Sequence, residues 1–170
     1  MPIDDCNHNF LELAQRVLPE HMSEMRRSLA SPTPMAEFLV PRQGVKTLLR
    51  AHNRTTDFSG CYVLLDQGKP IYVGISRQVF RRLWYHGRGT KHFTATLAYS
   101  IAAHQFVSEL PRSARMADAD FLVRFNLAKL RLQKCDFAFV EITNDLVLYL
   151  FEAYCAMELD TSEWNTFRTH

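Results

Sequence analysis

The sequence has little of what would tie it to a metal cage, a membrane or an export route. Its four cysteines, Cys6, Cys61, Cys135 and Cys155, form no CxxC pair and no zinc-type spacing. Three of them sit inside apolar stretches, where a free thiol behaves as a small hydrophobe, so a reducing compartment is expected. No apolar run approaches ~20 residues, so no membrane span is expected. The amino terminus, Met1-Pro2-Ile3-Asp4-Asp5, is acidic and lacks the apolar segment of a signal peptide. A cytoplasmic location is the resulting expectation. The chain shows no repeat, low-complexity tract, Asp-rich cluster, zinc finger, helix-turn-helix signature or basic tail. Sequence-specific readout of a nucleic acid therefore has no visible carrier.

Charge of one sign is missing in two places. From Gln67 to Ser108 there is no Asp or Glu, while Lys69, Arg77, Arg81, Arg82, Arg88 and Lys91 fall inside that stretch. From Cys135 to Trp164 there is no Lys or Arg, while Asp136, Glu141, Asp145, Glu152, Glu158, Asp160 and Glu163 do. The net charge of +2 hides this split between an anion-binding stretch and a cation-binding one; the alternative is two runs of solvated charge. What is present is ample apolar material: 47% hydrophobic and 12% aromatic residues over 170 positions suit one folded domain with a short helical extension.

Spacing at three and four among Phe10, Leu11, Leu13, Ala14, Val17 and Leu18 predicts a helix over residues 9–29, broken or kinked at Pro19, with Met22, Met25 and Leu29 extending its stripe. Ser31-Pro32-Thr33-Pro34 reads as a linker or turn. Residues 36–52 are ambiguous, with a short helix around Val45 to Leu49. Cys61 to Leu65 and Ile71 to Ile75 are β-rich runs around the turn-like Asp66-Gln67-Gly68-Lys69-Pro70, which predicts an antiparallel hairpin. A helix should follow, capped by Ser76, with Val79, Phe80, Leu83 and Trp84 on its apolar face and Gly87 at its end. Further helices are expected over 93–106 and 117–132, the second with Phe121, Leu122, Phe125 and Leu130 on one side. Phe137 to Ile142 reads as a third strand, and Asn144 or Asp145 caps a long apolar helix reaching about Leu159. The expected architecture is α/β: a three-stranded antiparallel sheet flanked by helices, with an N-terminal helical extension over 1–58 and a helical insertion at about 93–132 in a domain spanning 59–170.

Several residues can carry chemistry. Arg82 and His86 lie four apart and share a helical face just past the second strand. Arg offers a planar fork of donors for phosphate, and His donates to it or relays a proton; a solvated basic face is the alternative. Arg77 and Arg81 add positive field. Glu152 lies in a helix that is apolar almost all the way round, so it is expected to be buried, and there it must be protonated, paired with an arginine such as Arg82, or bound to a hard cation such as Mg²⁺. Tyr62 and Tyr72, ten apart on the hairpin, are ordinary packing residues unless nearby positive charge lowers a phenol pKa near 10 far enough for base catalysis. Lys91, His92 and Arg88 either extend a phosphate track or form a solvated loop. Trp84, Tyr85 and Phe93 stand near that track as stacking candidates, with core packing the simpler role for Trp84. Asn165 either caps backbone groups or fixes a site from its far side.

Taken in order, Gly60-Cys61-Tyr62, Tyr72-Val73-Gly74, Arg82, His86, Glu152 and Asn165 resemble the GIY-YIG nuclease family, here a small stand-alone member, over about two thirds of the chain. The resemblance implies a metal-dependent endonuclease that hydrolyses a DNA phosphodiester to 3′-hydroxyl and 5′-phosphate ends, with structure-selective or weakly sequence-selective action. It implies one Mg²⁺, replaceable by Mn²⁺, held by Glu152, with Tyr62 or Tyr72 as the base. It further implies Arg82 neutralising phosphate charge, His86 assisting and Asn165 supporting the metal site. Arg77, Arg81, Lys91, His92 and Asn165 are the expected substrate contacts, and DNA repair or recombination is the implied setting. Cys61 replaces the middle isoleucine of the first tripeptide, and the insertion between Gly87 and Glu152 is longer than in compact members. A non-catalytic nucleic-acid-binding module on the same fold is the alternative. Residues 1–58 are the expected place for a protein partner or dimer contact.

Overall fold

The computed structural model describes residues 2–104 and 106–167. In chain order the elements are α1 (Phe10–Glu12), a π-turn (Leu13–Val17), α2 (Leu18–Leu29), β1 (Thr33–Pro34), α3 (Val45–Ala51), β2 (Gly60–Asp66), β3 (Lys69–Ser76), α4 (Val79–Arg88), α5 (Thr96–His104), α6 (Arg112–Arg115), α7 (Ala119–Gln133), β4 (Asp136–Glu141) and α8 (Asp145–Glu158). They fall into two compact units, each made of non-consecutive stretches. The first takes the described parts of Met1–Thr33, Thr56–Val79 and Asp136–His170; the second takes Pro34–Thr55 and Phe80–Cys135.

The first unit is built on the sheet. β2 pairs antiparallel with β3 on one side and with β4 on the other. The hairpin turns at Gln67 and Gly68, which both have positive φ (51° and 79°), the geometry of a two-residue loop matched to strand twist. Pro70 is tolerated because β3 is an edge strand, and the ladder slips between Leu64 and Leu65 just where proline lacks a donor. The sheet has four strands, in the order β1-β4-β2-β3, where three were expected. The extra one is Thr33–Pro34, read from sequence as a linker.

Periodicity over 9–29 yields one helical run, as expected, but Pro19 acts earlier than its own position. The missing proline donor is accommodated by the π-turn immediately before α2, where the Leu18 amide donates to the Leu13 carbonyl. Leu13, Val17, Leu18, Met22 and Met25 are buried against Cys61, Val63, Val73, Ala138 and Val140 and against Val147, Leu148, Phe151, Cys155 and Ala156 of α8. The first part of the "extension" is thus core of the sheet unit. Phe10 and Leu11, expected on the same stripe, are exposed. α8 starts at Asn144, whose side chain accepts from the Val147 amide (3.0 Å). It is not buried all round: Tyr149 and Met157 face solvent.

In the second unit α5 packs on α7. Phe38, Phe80, Leu83, Phe121, Phe125 and Leu132 are buried in it, with Phe38 edge-on to Phe80 (5.4 Å between centroids). α7 buries Phe121, Phe125, Ala128 and Leu132, a stripe at spacings of four, three and four. Leu122 and Leu130, expected beside Phe121 and Phe125, point away and are exposed. α4 runs through Gly87 to Arg88 rather than ending at the glycine. α5 begins at Thr96, so Phe93, expected inside a helix, stands in the turn before it. Among the described residues no helix is long and apolar enough to cross a membrane.

Candidate active site

In the sheet unit, strand alternation sends Tyr62 and Tyr72 to one face and Cys61, Val63 and Val73 to the other, against α2 and α8. The two tyrosine rings lie 6.2 Å apart. Gly74 is directly opposite Tyr62 in the register, and its missing side chain is what admits the phenol. A Cβ there would stand 2.5 Å from both Cζ and Oη of Tyr62 and 2.9 Å from Cε1 of Tyr72. Gly60 is required for a different reason: a Cβ would overlap the Val140 carbonyl oxygen of β4. The glycines of the two tripeptides therefore serve one strand pairing and one side-chain placement. Tyr62 is only 1% exposed, and Tyr72 is half-buried.

Asn165 binds the free edge of β3. Its Oδ1 accepts from the Val73 amide (2.8 Å) and its Nδ2 donates to the Val73 carbonyl (2.7 Å), so one side-chain amide takes the place of a neighbouring strand. Of the two roles open at the sequence level, backbone capping is the one observed, and the residue it clamps is the neighbour of Tyr72. Arg77, expected to meet substrate, is bound to Asp145 at the start of α8, which raises its pKa through the hydrogen bond and the charge together.

Glu152 is half-buried on α8, the helix covering the sheet face opposite the tyrosines. Within its own unit, and among the described residues, it makes no hydrogen bond or ion pair. Desolvation raises its pKa above the usual carboxylate value. Its charge is felt by Cys61, whose thiol is pushed up first by burial, then by the hydrogen bond to Cys155 and by the charges of Cys155 and Glu152. All four cysteines are buried, and none is in a disulfide.

In the second unit, Arg82 donates to the Thr94 carbonyl (3.2 Å) and to Oγ1 of Thr96, so it holds the turn between α4 and α5. His86, one helical turn on, is completely buried. Burial, and secondarily the Arg82 charge, lower its pKa well below the ordinary value, so the imidazole is neutral at pH 7. Arg81 is exposed over the Tyr85 ring (5.7 Å). Lys91 is exposed, and half-buried His92 packs edge-on to Phe93 (5.3 Å). Arg88 donates to the Phe38 and Val40 carbonyls (2.9 and 2.7 Å) and so braces its own unit. The structure thus brings Tyr62, Tyr72 and the Asn165 clamp together in one unit, and Arg82, His86 and the Lys91 turn together in the other.

No cluster of three or more His, Cys, Asp or Glu able to hold a metal occurs among the described residues. A closed protein cage is therefore not the donor set there. A single unpaired carboxylate suits Mg²⁺, which keeps several waters and takes one or two carboxylates plus substrate phosphate. Glu152 fits that description. No protein-family model, no curated protein and no solved structure matches this chain.

Proposed function

We propose that the protein is a metal-dependent DNA endonuclease of the GIY-YIG type, cutting a phosphodiester to leave 3′-hydroxyl and 5′-phosphate ends. The observation that carries this reading is the space left by Gly74, which seats the Tyr62 phenol beside Tyr72 on a strand edge clamped by Asn165. The room at Gly74 fixes where the phenol sits, and a reactive phenol needs a fixed position. Glu152 supports the reading as a desolvated carboxylate with no hydrogen bond or ion pair among the described residues of its unit, the kind of residue retained at a cost in stability for a ligand.

The roles follow from chemistry. Glu152, on the helix that packs against the other face of the sheet from the tyrosines, would hold one Mg²⁺, with Mn²⁺ as substitute. When bound, the ion supplies Lewis-acid stabilisation of the phosphate and leaving oxygen. Tyr62 or Tyr72, as the phenolate, would accept the proton of the attacking water and return to the phenol. Tyr72, half-buried, is the more open to solvent of the two. Arg82 lays permanent positive charge against the phosphate oxygens as their charge grows. His86, neutral at pH 7, acts as a hydrogen-bond donor or proton relay rather than as a second cation. Lys91 and Arg81 contribute sequence-tolerant, salt-sensitive attraction to the backbone.

The test is a cleavage panel of single-stranded, duplex and branched DNA with Mg²⁺ or Mn²⁺, and Glu152→Ala as control. Cleavage by the parent protein that disappears in the variant supports the reading. Binding to these DNAs with no cleavage under either metal identifies instead a binding module on the same fold.

A further inference from the structure

The turn between α4 and α5 presents an aromatic ring to solvent from a fixed backbone. The Thr94 and Ala95 amides both donate to the Lys91 carbonyl (3.1 and 2.9 Å), and the Thr94 hydroxyl donates to the same oxygen (3.0 Å). The Lys91 amide donates back to Thr94 Oγ1 (3.3 Å), and Arg82 holds the Thr94 carbonyl from α4. At the corner of this braced turn Phe93 is 60% exposed. His92 meets its ring edge-on, and the Lys91 ammonium stands 5.5 Å from its centre. No acidic residue occurs from Gln67 to Ser108 to compete for an incoming anion.

A lone exposed phenylalanine needs no explanation. This one differs in being held rigidly, flanked by a cation, and one residue from the carbonyl gripped by Arg82. We propose that Phe93 is a stacking subsite for an unpaired nucleobase of the DNA strand whose phosphate meets Arg82, with Lys91 taking the phosphate of the stacked nucleotide. The inference rests on the nuclease reading and narrows its substrate to DNA with a single-stranded or splayed nucleotide beside the cut. A paired base is stacked between its neighbours and offers only its edges in the grooves, so it has no face for Phe93. An aromatic platform is sequence-tolerant because every base has such a face, which agrees with the absence of any base-reading motif in the chain.

The experiment measures binding of labelled oligonucleotides by fluorescence anisotropy in EDTA, where a metal-dependent activity is silent. The probes are a single strand, its duplex, and a strand of equal length built from abasic sites. The full chain should bind the natural strand more tightly than the abasic one. Phe93→Ala should remove that preference, weakening single-strand binding by about 5- to 150-fold, the usual worth of one stacked base, with duplex affinity unchanged. Phe93→Trp should keep the preference, and Phe93→Leu, apolar but without a flat face, should lose it. Lys91→Ala should weaken natural and abasic strands alike. The subsite is refuted if Phe93→Ala binds the natural strand as the parent does, or if Phe93→Leu does. It is equally refuted if single strand and duplex weaken together in Phe93→Ala. A parent protein that binds none of the three probes overturns the nuclease reading itself, so the two failures are distinct.

Discussion

Gly74→Ala tests the seat of the Tyr62 phenol. The new methyl would stand 2.5 Å from Cζ and Oη of Tyr62, whereas comfortable carbon contacts lie at about 3.5–4.0 Å. One of the groups must therefore move by about 1 Å. Tyr62 is 1% exposed, so its ring has no solvent to retreat into, and Tyr72 blocks the lateral path at 2.9 Å from the same methyl. Overpacking of this kind costs about 1–3 kcal/mol. Alanine returns ~0.5–1 kcal/mol through the reduced freedom of the unfolded chain. The net loss should be roughly 0.5–2 kcal/mol, read as a fall in Tm of about 1–8 °C for a chain of this size. Activity should suffer more than stability, because a 1 Å displacement of a reacting group costs on the order of 100-fold in rate. Urea melts and single-turnover cleavage of a labelled DNA measure both. Two controls isolate the cause. Gly44→Ala, where a Cβ meets nothing within 4 Å, should leave cleavage unchanged. In a Tyr62→Leu background, which lacks the phenol end, Gly74→Ala should cost less stability than in the parent, with only the 2.9 Å approach to Tyr72 left to relieve. If Gly74→Ala folds and cuts like the parent, the phenol is not fixed by that contact and the argument for a reactive Tyr62 falls.

Three other outcomes are expected. Glu152→Gln should abolish metal-dependent cleavage yet raise the Tm of the metal-free protein, because desolvation makes the charged carboxylate costly in the fold; a variant that is inactive and also less stable would show that the carboxylate has a structural partner. His86 binds its proton more weakly folded than unfolded, so its contribution to stability is fully present above about pH 6.5 and is lost as pH falls below that value, at up to ~1.4 kcal/mol per pH unit. Urea midpoints between pH 7 and 5 should show this slope in the parent, and a flatter one in His86→Asn. Asn165→Ala removes both hydrogen bonds to Val73 and should destabilise by about 1–2 kcal/mol, with faster hydrogen exchange at the Val73 amide; an unchanged exchange rate would mean that the clamp does not hold the strand edge in solution.

The parts of the fold legible in the sequence are those whose signals are local. The β2–β3 hairpin announces itself through β-branched and aromatic runs around Gln67-Gly68, and α8 through the Asn144 cap before an apolar stretch. β1 has no such signal. Thr33–Pro34 is two residues long, contains a proline, and becomes a strand only because the sheet offers an edge to pair with at β4. Leu122 and Leu130 fit the apolar spacing of α7 as well as its buried residues do, because composition does not say which of two apolar stripes meets a neighbour; packing against α5 chose the stripe of Phe121, Phe125, Ala128 and Leu132. Phe93 looked helical by periodicity, but the hydrogen bonds of Thr94 to Lys91 and of Arg82 to Thr94 hold a turn instead. The residue types of the candidate site were visible, whereas their placement was not. That Asn165 would spend its amide on Val73, or that Gly74 exists to receive Tyr62, depends on contacts 92 and 12 positions away in the chain.

Glu152 and His86 are shifted in opposite directions toward the same end. Burial raises the carboxyl and lowers the imidazole, so each environment resists charge on its own residue. A purely structural protein would relieve such a cost by pairing or by apolar replacement. For Glu152, on the nuclease reading, what relieves that cost is a cation that arrives as ligand. This expectation has its own measurement. Mg²⁺ should raise the Tm of the parent protein in the absence of DNA, by an amount that grows with the logarithm of free metal above its Kd, and should not do so in Glu152→Gln. Equal stabilisation of the two proteins would place the ion elsewhere and leave the carboxylate without a reason to be there.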